Sequence, residues 1–247
     1  MAYTSPNDET YDDQSQRLLT SVLTLDDLLE WGRTRLSAPA WQMVAASFLL
    51  VSVPVFFQAP LVRIFPTASL ILTLGWFAIS VLLNRRDSTK HWGDLLIGFT
   101  WTWLAGTIYW GWFRGEPYLH LPIEAIGLPF ALWGLKQQKG KIGHWFYIGS
   151  LLGTAITDLY FYLVRLIPYW RQIMQVEPEQ APQVLHQALL QMQNPWGYGC
   201  AVGLVGILLV LGCIPLKRNQ LHWSAFGGAV LSTLLVDGLF WLAAAFA

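Results

Sequence analysis

Residues 115–135 read GEPYLHLPIEAIGLPFALWGL. The topology turns on this stretch, which is just long enough to cross a bilayer yet places Glu124, Pro122 and Pro129 within its apolar run. A hydrocarbon core about 30 Å thick takes roughly 20 apolar residues in a helix. Six other windows reach that length easily: about 40–58, 66–83, 95–113, 145–164, 197–215 and 225–246. Whether 121–135 is a seventh span decides on which side of the membrane every later loop falls.

Basic residues give the answer, because cytoplasmic loops carry the excess of Lys and Arg. With seven spans and the N-terminus inside, the inner segments hold Arg17, Arg33, Arg35, Arg85, Arg86, Lys90, Lys136, Lys139, Lys141, Lys217 and Arg218. Only Arg63, Arg114, Arg165 and Arg171 are left outside, eleven against four. Without the fourth span the balance falls to eight against seven. The sequence therefore predicts an all-α integral membrane bundle of about seven transmembrane helices, N-terminus in and C-terminus out.

Composition agrees with the membrane class. Of 247 residues, 54% are hydrophobic and 12% charged, against about 25% charged in soluble domains, and the mean hydropathy is +0.42. Net charge is zero, and the basic residues form no dense face of the kind that neutralises phosphates, which argues against nucleic-acid binding. Cys200 and Cys213 share one apolar segment and stand about 20 Å apart along a helix, too far for a disulfide.

Residues 1–17 read as a disordered acidic tail: Asp8, Glu9, Asp12 and Asp13 precede the first basic residue, so the pattern of a cleaved signal is lacking. Residues 18–38 read as an interfacial amphipathic helix, with Thr24 as a cap and Leu25, Leu28, Leu29 and Gly32 on one face. The membrane domain then runs over 39–247. Within its long outer loop, APQVLHQALLQMQNPW (181–196) predicts an amphipathic helix at 181–193, its apolar stripe opposed by uncharged Gln and His.

Charged side chains inside spans are costly and are functional hypotheses by default. Glu124, Asp158 and Asp237 qualify, all in the outer half of the membrane on the seven-span orientation. In span 5, Ser150, Thr154, Asp158, Tyr162 and Arg165 recur at helical spacing. Arg165 could snorkel outward or reach Glu124, and Thr233 stands one turn from Asp237. These residues make a candidate polar site among spans 4, 5 and 7, suited to a cation, a proton, a basic group or the central metal of a pigment. The competing reading is interhelical hydrogen bonding that only fixes packing.

His120, at the start of span 4, could ligate a pigment or cap the helix at the outer surface. Trp101 and Trp103 are candidate pigment contacts, although core filling is the commoner role of such residues. Gly149/Gly153 and Gly199/Gly203 match GxxxG, a sign of close helix packing. No metal site is read, and no Gly-x-Ser-x-Gly, His-Glu-x-x-His or Walker motif points to an enzyme.

At HLPIEAIGLPFALWGL (120–135), with the seven spans and the preceding Trp-rich helix, the chain resembles an uncharacterised family of multi-spanning membrane proteins of cyanobacteria and plastid lineages. The resemblance covers roughly residues 20–247. It implies a photosynthetic cell and a thylakoid or plasma membrane, but no activity and no site residues. The first functional expectation is a non-enzymatic factor that binds photosynthetic complexes or pigment, chlorophyll or carotenoid, during assembly. The alternative is a small permease or channel with an outward-facing acidic site, and a membrane enzyme comes third.

Overall fold

The computed structural model describes residues 36–246, and among these there is no strand. The expected tail and interfacial helix fall on 1–17 and 18–38 and so lie almost wholly outside the described residues. Ten α-helices follow: α1 (Ala38–Ile64), α2 (Pro66–Asn84), α3 (Lys90–Ile108), α4 (His120–Glu124), α5 (Leu128–Lys136), α6 (Lys141–Leu163), α7 (Ile167–Ile173), α8 (Ala181–Met192), α9 (Pro195–Leu216) and α10 (Leu221–Phe246). Of these, α1, α2, α9 and α10 are each long and apolar enough to cross a membrane. A fifth span is added if α6 and α7, bent by 104° at their junction, count as one.

Local sequence explains the boundaries. Ser37 caps α1 by accepting from the Ala40 amide, with proline in the first turn, and Asn194 caps α9 in the same way, its side chain accepting from Gly197 at 2.8 Å. Helix α1 continues through Pro54 and Pro60 without interruption.

Segment 117–136 behaves differently and corrects the expectation of one helix over 121–135. It comprises a 3₁₀ turn at Pro117–Leu119, α4, a second 3₁₀ turn at Ala125–Gly127, and α5. Pro129 has no amide to donate to the Ala125 carbonyl, and the Leu128 amide turns to Ala125 instead of Glu124. The Glu124 carbonyl is left over. Tyr147 on α6 fills this gap: its hydroxyl donates to the Glu124 carbonyl and accepts from the Gly127 amide at 3.1 Å. Broken backbone is tolerated at membrane depth only when a neighbour satisfies it. Tyr147→Phe is therefore expected to cost about 2 kcal/mol by stranding two buried backbone groups; thermal unfolding in detergent measures it, and an unchanged midpoint would show that water replaces the hydroxyl.

Close approaches give the directions of the helices. Gly149 of α6 lies on Phe226 and Ala229 of α10, and Gly153 lies on Thr233, so these two helices run the same way. Gly228 meets Val44 and Ser47 while Asn219 binds Ser37, aligning α1 with α10. Gly98 abuts Gly143, and Asp94 accepts from the Ile142 and Gly143 amides at 3.0 and 3.3 Å, while Tyr109 just past the end of α3 lies on His120, the partner of Asp158 near the end of α6, aligning α3 with α6. Helices α2, α5 and α9 oppose these four. Gly93 lies on Asn84 and Ser69 binds Thr107, so α2 opposes α3; Gly134 lies on His144 and Gly127 on Tyr147, so α5 opposes α6; Gly212 lies on Leu231 and Gly227 on Leu216, so α9 opposes α10.

Two ends result, one carrying Asp94 and the other His120. A polar staple joins α1, α2 and α3 between them: Gln58 donates to the Trp103 carbonyl and to Thr107, Thr107 bonds Ser69, and the Trp103 indole donates to the Ser69 carbonyl at 3.0 Å. The apolar core beside it is built on Met43, Leu95, Phe99, Trp103 and Phe146.

Candidate functional site

At the His120 end, α3 closes in a π-helical turn over Tyr109–Phe113, a distortion that recurs at functional sites because it re-aims the side chains around it. Tyr109 is fully buried, and its ring lies 4.3 Å from that of His120. The 104° bend after α6 brings α7 back over the same place. Trp170 of α7 stacks on Trp110 at 5.7 Å, sits 5.8 Å from His120, and donates its indole N–H to the Arg114 carbonyl. His120 is thus walled by aromatic rings from α3 and α7.

Within that wall, His120 Nδ1 lies 2.8 Å from Asp158 Oδ1, with side chains only 13% and 6% exposed. With Asp158 ionised, the ring N–H is the donor and the carboxylate fixes the orientation of the imidazole. Asp158 Oδ2 and the Tyr109 hydroxyl are both buried and lack a hydrogen-bond partner among the described residues. His120 Nε2 is the ring nitrogen that the contact with Asp158 leaves over. Glu124 lies one turn below His120 on α4, within electrostatic reach of both members of the pair. The cluster can hold a proton, or a small group that both donates and accepts hydrogen bonds.

Of the expected residues, the structure joins His120 to Asp158, sets Glu124 beside the pair, and leaves Tyr162 and Asp237 within electrostatic reach of Asp158 but engaged in other contacts. Asp237 accepts from Thr157 at 2.8 Å, across the α6–α10 interface and on the neighbouring face of α6. Thr233 is buried against Gly153. Thr154 is half-buried on α6. Tyr162 is partly exposed and stacks on Tyr118 at 5.8 Å.

Arg165 does not reach Glu124. Helix α6 ends at Leu163, and Arg165 occupies the turn into α7 with φ 61°, exposed and with no ion pair among the described residues. The helical stripe expected to run through it stops one residue short of the turn. His120 is not a surface cap either, because its partner is the buried carboxylate of another helix. The pigment set is divided: Trp103 is buried against Trp76 and Phe99, while Trp101 stacks on Phe130 at 4.7 Å.

Sequence reasoning did not assign Tyr109, Trp110, Trp170 or Tyr147 to the site. The available signal was depth: on the expected orientation His120, Tyr109 and Asp158 all lie towards the same side of the membrane. Among the described residues, no three His, Cys, Asp or Glu side chains are grouped to hold a metal ion.

Fold and cluster together define a helical membrane protein with a buried polar centre at one end of its bundle. The chain belongs to the family described as "Protein of unknown function (DUF3120)", whose model matches residues 46–245. No curated protein and no solved structure matches the chain.

Proposed function

We propose that seven segments cross the membrane, with the Asp94 end cytoplasmic and the C-terminus outside. Support comes from the alternating directions of α1, α2, α3, the α4–α5 segment, α6, α9 and α10. It comes also from charge. Arg85, Arg86, Lys90, Lys136, Lys139, Lys141, Lys217 and Arg218 belong to the Asp94 end, against Arg63, Arg114, Arg165 and Arg171 at the other.

On this frame the protein is a small non-enzymatic permease or channel whose outward-facing site binds a proton or a small cationic solute at Asp158, His120 and Glu124. The observation that carries the reading is the buried His120–Asp158 contact beside two unpartnered polar atoms, set on a helix broken at Ala125–Gly127. Packing alone would be served by a fully satisfied pair, and discontinuous helices are the usual seat of solute sites in transporters.

Proteoliposomes loaded with a pH dye, and parallel uptake of methylammonium and guanidinium, test this reading. Wild-type vesicles are expected to exceed empty ones for at least one probe, and Asp158→Asn to lower that flux roughly tenfold. Asp237→Asn should change it far less, since that carboxylate is engaged by Thr157. Flux indistinguishable from empty vesicles for all three probes would reject the permease.

A second reading has one observation in its favour. A carboxylate on one imidazole nitrogen is how proteins orient a histidine to ligate a metal through the other, and His120 Nε2 is the nitrogen left. This suits a chlorophyll-binding or photosynthetic-complex assembly role in a thylakoid or plasma membrane. Stoichiometric pigment in the purified wild type and its loss from His120→Gln would establish that role; a colourless wild-type protein carrying no photosystem subunit would dismiss it.

A further inference from the structure

The opposite end of the bundle carries a second feature, independent of the His120 cluster. A cavity of about 1010 Å³ opens there between α2 and α5, which pack on α3 and α6 respectively. Its floor is one face of α3: Lys90, Asp94, Ile97 and Trp101 line it at spacings of four, three and four. The back is closed where Gly98 and Gly143 let α3 and α6 touch.

Polarity changes along this groove. Arg85, Lys90 and Lys139, all exposed, stand at its mouth, and none is paired with a carboxylate among the described residues. Two acids share the lining. Asp94 is engaged by the Ile142 and Gly143 amides, and Asp87 is exposed at the rim. Moving away from the mouth, the lining becomes Ile97, Trp101 and Phe130, while Trp133 is 66% exposed along the apolar flank of the bundle. A cationic mouth over an aromatic, laterally open groove matches an amphiphile with an anionic head and an apolar tail.

We propose that this groove is a binding site for an anionic phospholipid of the surrounding bilayer. The phosphate sits among Arg85, Lys90 and Lys139, and an acyl chain lies along α3 towards Trp101. Basic pockets between helices at the cytoplasmic face recognise anionic head groups by this charge complementarity. A soluble phosphate would use the mouth but gain nothing from the aromatic floor.

Native mass spectrometry of the full chain in detergent tests the site, with dioleoyl phosphatidylglycerol and dioleoyl phosphatidylcholine added in equal amounts. Preferential retention of one phosphatidylglycerol is expected, unaffected by excess inorganic phosphate. Lys90→Gln and Lys139→Gln should each weaken retention roughly fivefold. Trp101→Ala should weaken it for both lipids alike, because it removes floor and not charge. Equal retention of the two lipids by the wild type would overturn the proposal without recourse to any variant, and displacement by inorganic phosphate would reassign the mouth to a soluble anion.

Discussion

Asp158→Ala is expected to lower the unfolding free energy of the detergent-solubilised protein by about 3 kcal/mol, the top of the range for leaving a buried hydrogen-bonding group without its partner. The loss is large because His120 cannot find water: its side chain is 13% exposed, with Tyr109 on its face and Trp110 and Trp170 around it. Asp158→Asn should cost far less, since an amide oxygen still accepts from Nδ1. Thr157→Val removes a hydrogen bond of similar length one residue away, and should cost only about 0.6 kcal/mol, the average for interhelical hydrogen bonds in membranes. Denaturant unfolding of the three variants in one detergent gives the comparison. Equal losses for Asp158→Ala and Thr157→Val would mean that the pair is ordinary packing glue. A stable Asp158→Asn without flux would instead separate function from folding.

Gly98→Ala is expected to be at least as damaging, by about 3 kcal/mol. A Cβ at Gly98 would overlap the Gly143 carbonyl, and one at Gly143 would overlap the carbonyl of Asp94. Backbone sits on both sides, so no flexible side chain can yield, and the cost belongs at the top of the range for overpacking. Forcing α3 from α6 also pulls Asp94 from the two amides it binds. Gly199→Ala and Gly203→Ala are the controls: among the described residues, no atom beyond the helix's own nearby backbone lies within 4 Å of a Cβ at either position. These should be neutral or stabilising by under about 1 kcal/mol, because alanine is the better helix former. Unfolding midpoints of the three variants check the prediction, and a destabilising Gly199→Ala would point to a partner helix on that face of α9.

The glycine pairs show where reading the sequence stops. Gly149/Gly153 and Gly199/Gly203 carry the same GxxxG spacing, yet the first pair lies under Phe226, Ala229 and Thr233 while the second touches nothing. A small-residue motif reports a surface that permits close approach. Whether a helix uses it depends on neighbours distant in the chain, and Gly98, which belongs to no such motif, makes the tighter contact. Glu124 teaches the same lesson. Its place in an apolar run and its nearby prolines are legible along the chain, but the break at Ala125–Gly127 is held by Tyr147, which lies 23 residues from Glu124.

By itself the sequence determined the membrane class and the helical fold, because backbone groups in hydrocarbon must be satisfied within the segment and that demand is written in run length and hydropathy. It also marked Glu124, Asp158 and Asp237 as the residues to watch, because burial of charge is costly wherever the bundle puts it. Only the tertiary structure decided their partners: Asp158 meets His120, Asp237 meets Thr157, and Arg165 turns away into a loop. The physical reason is range. Burial energies depend on composition over about 20 residues, whereas a hydrogen bond depends on ångström-scale placement of two helices, set by rotation and register that no single segment encodes.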